Sequence, residues 1–196
     1  MAEGKLIDPA LSYRYRWVAS ADRDAVAAVA LLVETVSRDQ PFVGLPVRPS
    51  REDSLLFQND LLHGLASGRL SLLTAEHDSD GVIACVALRR PATANQHHLG
   101  ELTTGAVHPK HRGRGLVAAV FAEIARRCAE TGIEVLLLDV RAGIKAELVW
   151  RSYGFEEYGR LADYGRADGE SYPGVFLAQP VAQLRERILT KGGSPC

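Results

Sequence analysis

A chain of 196 residues, 46% hydrophobic and 24% charged, is long enough to bury an ordinary core and differs in composition from disordered and membrane proteins. A formal net charge of −1, with no block of five like charges, leaves no whole-surface footprint for nucleic acid or anionic lipid, so neither partner is expected. No apolar stretch approaches the ~20 residues that cross a bilayer, and the N-terminus lacks an apolar signal core, which points to a cytoplasmic protein.

Cys85, Cys128 and Cys196 form no CxxC pair and have no histidine at metal-ligand spacing, so they read as inert thiols and no metal is expected. Residues 1–10 read as a loose leader. Tyr13 to Val18 alternates aromatic and basic residues as a half-buried strand does. Asp22 opens a helix with Val26, Val29, Ala30, Val33 and Val36 at helical spacing, broken by Gln40-Pro41 and Gly44-Leu45-Pro46. Ser50 to Asp53 has the form of a capping box, and the leucines that follow carry a second helix to Gly68.

Leu70–Glu76 and Val82–Leu88 read as antiparallel strands joined through Asp78-Ser79-Asp80-Gly81. His98 to Val107 is a further strand ended by Pro109. Leu116 to Glu130 is a helix capped by Gly132, and Val135 to Val140 is a strand expected to be buried on both faces and parallel to its predecessor. Ala146 to Tyr153 reads as a short helix closed by Gly154. Phe155–Leu161 and Val175–Ala178 are the last strands, and Pro180 to Cys196 is a flexible tail with one small amphipathic stretch. The order predicts a single α/β domain over residues 1–196, with its core at about 13–178 and one βαβ unit.

The most informative segment runs Val107-His108-Pro109-Lys110-His111-Arg112-Gly113-Arg114-Gly115-Leu116, off a strand, through a basic glycine-containing turn and into a helix. The first helical turn leaves backbone N–H groups unpaired, its dipole favours negative charge, and glycines let a ligand reach the main chain. Lys110, Arg112 and Arg114 add positive charge, which suits a pyrophosphate. Gly113 to Ala118 also satisfies a dinucleotide fingerprint with Asp139 as the ribose acid. That reading expects a glycine at the strand end, where His108 to Arg112 intervene, and more than one βαβ unit. A nucleotide P-loop is excluded because no Gly-Lys-Ser/Thr follows.

Arg112-Gly113-Arg114-Gly115-Leu116-Val117, after a strand ending Val-x-Pro, resembles the acyl-CoA loop of GNAT acetyltransferases, with Val117 departing at the last position. Trp150 to Phe155 is similar to that family's Tyr-x-x-x-Gly-Phe element. Gly100-Glu101-Leu102, Leu138 to Gly143 and Glu157 to Tyr164 resemble its tabtoxin-resistance type. The likeness spans roughly residues 81–178 and implies a mixed, mostly antiparallel sheet flanked by helices, whose βαβ unit carries the loop.

It further implies acetyl-CoA or another acyl-CoA as co-substrate, held by Ala106, Val107, Arg112, Gly113, Arg114, Gly115, Leu116 and Val117. The Ala106 and Val107 amides would polarise the thioester carbonyl. An alkyl ammonium must lose a proton before it attacks a thioester. Glu101, on the strand leading into the loop and where the family places an acid, is the candidate catalytic base. The family's usual tyrosine acid is replaced by Trp150. Tyr153 lies on another helix face, so either Tyr164 or Tyr158 serves or the thiolate leaves unassisted.

Phe42, within an Asp39–Gly44 wall, and Asp163 and Tyr164, in a connection between the last strands, are the candidate acceptor residues. His97 and His98 precede Glu101, with His98 on the opposite strand face, and His108 and His111 are assigned to the phosphate loop or solvent. The expected reaction is direct acyl transfer to a primary amine of a small molecule. A carrier-protein phosphopantetheine donor, a non-catalytic CoA-binding domain, and homodimerisation stay open.

Overall fold

The computed structural model describes residues 7–8, 13–20, 22–38, 44–167 and 169–192, so Phe42 and Cys196 lie outside the described residues. The chain divides into two units, Met1–Arg89 with Thr103–Leu116, and Arg90–Leu102 with Val117–Cys196.

The first unit holds β1 (Ile7–Asp8), β2 (Tyr13–Trp17), α1 (Arg23–Ser37), α2 (Arg51–Ala66), β3 (Leu70–His77), β4 (Gly81–Arg89) and the second half of β5 (Leu99–Val107). β1 to β4 pair antiparallel in chain order. Asp22 caps α1 as its sequence predicts. Its carboxylate accepts from the Ala25 N–H at 2.9 Å and from Arg16 at 2.7 Å, and these bonds hold it below the usual carboxylate range. Ser50 and Asp53 form the expected reciprocal box at the start of α2. Val26, Val29, Val33 and Val36 of α1 pack with Leu61 and Leu65 of α2, Leu70 and Leu72 of β3, and Ala87 of β4. The β3–β4 connection is the three-residue turn Asp78–Asp80, closed by Gly81 at φ +69°.

The second unit holds the first half of β5, α3 (Leu116–Thr131, from Val117 onward), β6 (Val135–Arg141), α4 (Lys145–Ser152), β7 (Glu156–Ala167), β8 (Glu170–Pro180) and α5 (Val181–Gly192). β5 pairs in parallel with β6 over Leu99–Glu101, β6 pairs antiparallel with β8, and β8 with β7. The sheet is therefore mixed and mostly antiparallel, with the parallel pair joined through α3. Phe121, Ile124, Leu136, Leu177 and Leu184 are among its buried side chains.

Several expectations need correction. β6 is not buried on both faces: Leu136, Leu138 and Val140 are buried while Val135, Leu137, Asp139 and Arg141 are half-buried, so one face is open to function. β7 and β8 reach much further than Phe155–Leu161 and Val175–Ala178 and form a long hairpin, so Asp163 and Tyr164 lie inside β7 rather than in a connection. Both lie within a register irregularity between Leu161 and Gly165. His98 precedes β5, where its carbonyl accepts from the Glu134 and Val135 amides. The stretch after Pro180 is the helix α5, anchored by buried Val181 and Leu184.

Candidate active site

In the first unit, β5 ends at Val107 and passes through a 3-10 turn, Pro109–His111, toward α3. Arg112 donates from Nε to the Val107 carbonyl at 3.1 Å, pinning its guanidinium stem to the strand end. Gly113 and Gly115 adopt φ of +75° and +78°, a region where any side chain costs energy. A Cβ on either would meet nothing within 4 Å, so these glycines serve backbone conformation and leave the main chain open to approach. Arg112 to Gly115 are exposed, Leu116 is buried, Ala106 is buried and Val107 is half-buried. Burial, then the nearby His111 and Lys110 charges, hold His108 below the usual histidine range, as expected beside a positive turn.

Two residues before the first of the expected amides, Ala106, β5 carries a feature with no sequence signal. Thr104 has φ +54°, strained for a β-branched residue, and its carbonyl accepts from the Cys85 thiol at 3.4 Å. Burial pushes the Cys85 and Cys128 thiols up to about 12, so neither is a nucleophile. His111 is not in solvent. It is 3% exposed, its Nδ1 lies 2.9 Å from the Tyr13 hydroxyl, and its Nε2 lies 2.9 Å from Asp80.

In the second unit, Glu101 sits opposite Leu137 in the parallel register and is half-buried. The strand period puts Leu137 and Asp139 on the same face, and the β6–β8 ladder adds Phe176 opposite Asp139 and Gly174 opposite Arg141. Tyr164 donates its hydroxyl to Asp139, and its ring stands at 90° to Phe176. Tyr158 also contacts Phe176, with ring centroids 6.1 Å apart. Burial raises its hydroxyl, and the negative charges of Asp139 and Glu101 raise it further. Burial likewise pushes the Asp139 carboxyl up. The Arg141 guanidinium lies 3.5 Å over the Tyr172 ring. This face therefore gathers two carboxylates and three tyrosines.

The sequence offers Asp139 as a ribose acid and within the Leu138–Gly143 likeness; its place near Glu101 depends on the β5–β6 register. Asp163 does not join this face through its carboxylate, which is engaged by Arg166 and Ser171. Trp150 and Tyr153 are packing residues: Phe121 lies 5.3 Å from the first ring and 4.3 Å from the second. Buried Glu147, unmarked in the sequence, accepts from the Gly143 N–H at 2.7 Å and from Arg151 at 2.8 Å, holding the turn after β6.

The sequence profile of the acetyltransferase (GNAT) family matches residues 31–155, well over half of the chain. The chain belongs to the GNAT family. Acyl transfer is accordingly its activity class. This GNAT chain is similar in fold to the ribosomal-protein-alanine N-acetyltransferase of Brucella melitensis, at 23% identity and a TM-score of 0.66, covering 85% of this chain and 98% of that one. It is also similar to yncA of Salmonella typhimurium, solved with acetyl-CoA, at 16% identity and TM-score 0.66, covering 86% and 94%. RimJ of Mycobacterium smegmatis, solved with CoA-disulfide, aligns at 19% identity and TM-score 0.69, covering 96% and 93%. No curated protein matches the sequence. Among the described residues no helix is long and apolar enough to cross a membrane.

Proposed function

We propose that this chain is an N-acetyltransferase that moves the acetyl group of acetyl-CoA to a primary amine of a small molecule by direct attack in a ternary complex. The observation that carries the reading is the open backbone at Gly113 and Gly115, both at positive φ, at the entry to α3. The CoA pyrophosphate accepts hydrogen bonds from the amides of Gly113 to Val117, with Arg112 and Arg114 adding charge. The structures of yncA with acetyl-CoA and RimJ with CoA-disulfide support that ligand class. The family match over residues 31–155 supports the acyltransferase reading.

Glu101 accepts the ammonium proton, directly or through a water molecule. The amine nitrogen attacks the thioester carbon, the Ala106 and Val107 amides polarise the carbonyl oxygen, and the C–S bond breaks to release CoA thiolate. Buried thiols at Cys85 and Cys128 support a route without an acyl-enzyme. The thiolate needs no dedicated acid, since a thiol of ordinary pKa near ~8.5 is a competent leaving group. Asp139, Tyr158 and Tyr164 line the acceptor side with Glu101, and the tabtoxin-resistance likeness at Glu157–Tyr164 supports a small-molecule acceptor there.

Titration calorimetry tests the donor. Saturable binding of acetyl-CoA with none of NADH is expected, whereas NADH binding without acetyl-CoA binding overturns the reading in favour of a dinucleotide site. Neither a carrier-protein donor nor a homodimer is needed for this outcome.

A further inference from the structure

In the first unit, three side chains from separate segments converge on one point: His77 at the end of β3, Asp80 in the β3–β4 turn, and His111 in the 3-10 turn after β5. Their ligand-capable atoms lie within 4.8 Å of one another. Asp80 Oδ2 is 2.9 Å from His111 Nε2 and 3.5 Å from His77 Nδ1. Ligand atoms around a tetrahedral zinc ion, at bond lengths of ~2.0–2.1 Å, stand roughly 3.3 Å apart. The cluster is thus close to the span of a coordination shell before any ion enters.

We propose that His77, Asp80 and His111 bind a single divalent ion of the zinc class, tying the β3–β4 turn to the turn that enters the anion loop. Two imidazoles and a carboxylate suit zinc and its transition-metal neighbours better than magnesium or calcium, which favour all-oxygen shells. His111 is 3% exposed, and its far nitrogen, Nδ1, is 2.9 Å from the Tyr13 hydroxyl. With its proton on Nδ1, donated to the Tyr13 oxygen, the ring presents the Nε2 lone pair to the ion; outer partners orient ligating histidines in this way. Tyr13 is itself fixed by pairing with His77 across β2 and β3. Ligation through His77 Nδ1 would displace the Ser79 hydroxyl now 3.1 Å away. The Asp80 side chain is 46% exposed, which leaves the outer side of the ion to water. The sequence predicts no metal because its third ligand, His111, lies 31 residues beyond Asp80; the turn after β5 brings it to the His77–Asp80 pair.

Equilibrium dialysis of the tag-free full chain against micromolar zinc, with elemental analysis, tests the site. One zinc per wild-type chain is expected, with a melting temperature that rises with zinc and not with magnesium. Asp80→Asn and His77→Gln, both at positions with solvent access, should each weaken binding at least about tenfold while keeping the far-ultraviolet spectrum. The control His97→Gln/His98→Gln should bind as wild type does. No zinc on the wild-type chain, or equal zinc on both ligand variants, overturns the proposal.

Discussion

The ring of Tyr164 occupies the space where a side chain on Gly174 would begin, and from there its hydroxyl donates to Asp139. A glycine on β8 thus admits a β7 aromatic onto the face that also carries Glu101. Gly174→Ala should force that ring out, costing about 1–3 kcal/mol as overpacking does. Urea unfolding should show the loss, and steady-state kinetics a higher KM for the amine with acetyl-CoA affinity kept. Tyr164→Phe, which keeps the ring, should leave stability within about 0.5–1.5 kcal/mol of wild type.

Glu101→Gln removes the proposed base without changing side-chain volume. The kcat for acyl transfer should fall about 10²–10⁴-fold, with acetyl-CoA affinity unchanged by calorimetry. Turnover kept at the wild-type level would assign the proton to another group, with Asp139 the next to replace.

Gly115→Ala separates conformation from contact, because a Cβ there meets no atom within 4 Å. Its φ of +78° makes alanine unfavourable by about 1–2 kcal/mol. If the loop holds pyrophosphate through its backbone, acetyl-CoA affinity should also drop at least about tenfold, a difference of ~1.4 kcal/mol. Calorimetry reads both the affinity and any change in stoichiometry.

Glu147 links acid stability to the turn after β6. The Gly143 N–H, and then Arg151, hold its carboxyl below the usual range. A depressed folded-state value stabilises the fold above the unfolded carboxylate pKa and loses that contribution as pH falls through the folded one. Wild type should therefore lose more stability than Glu147→Gln as pH falls below the unfolded glutamate value of ~4.3. At neutral pH the variant should be less stable by about 1–3 kcal/mol. Urea unfolding across that pH window checks both signs.

Local signals were legible where the chemistry is local. Asp22 and Ser50 cap their helices because the bonds they make close within three residues, and the Gly113–Gly115 turn declares itself by composition. The parallel placement of β6 followed from a strand–helix–strand order. Less was legible where partners are remote. His111 is buried by Tyr13 and Asp80, 98 and 31 residues away. β7 runs Glu156–Ala167 but is exposed along most of its length, so it carries no apolar alternation to mark its extent. Asp139 became a candidate acceptor residue only through its register beside Glu101 and its bond to Tyr164. α5 hid because, among its described side chains, just Val181 and Leu184 are buried.

Amine-dependent release of free CoA from acetyl-CoA, followed with a thiol reagent across a panel of small primary amines, tests the central claim most directly. The account predicts release that requires an amine, saturates in both substrates and collapses in Glu101→Gln. Acetyl-CoA binding without release by any amine would contradict it and leave a CoA-binding domain without transferase activity.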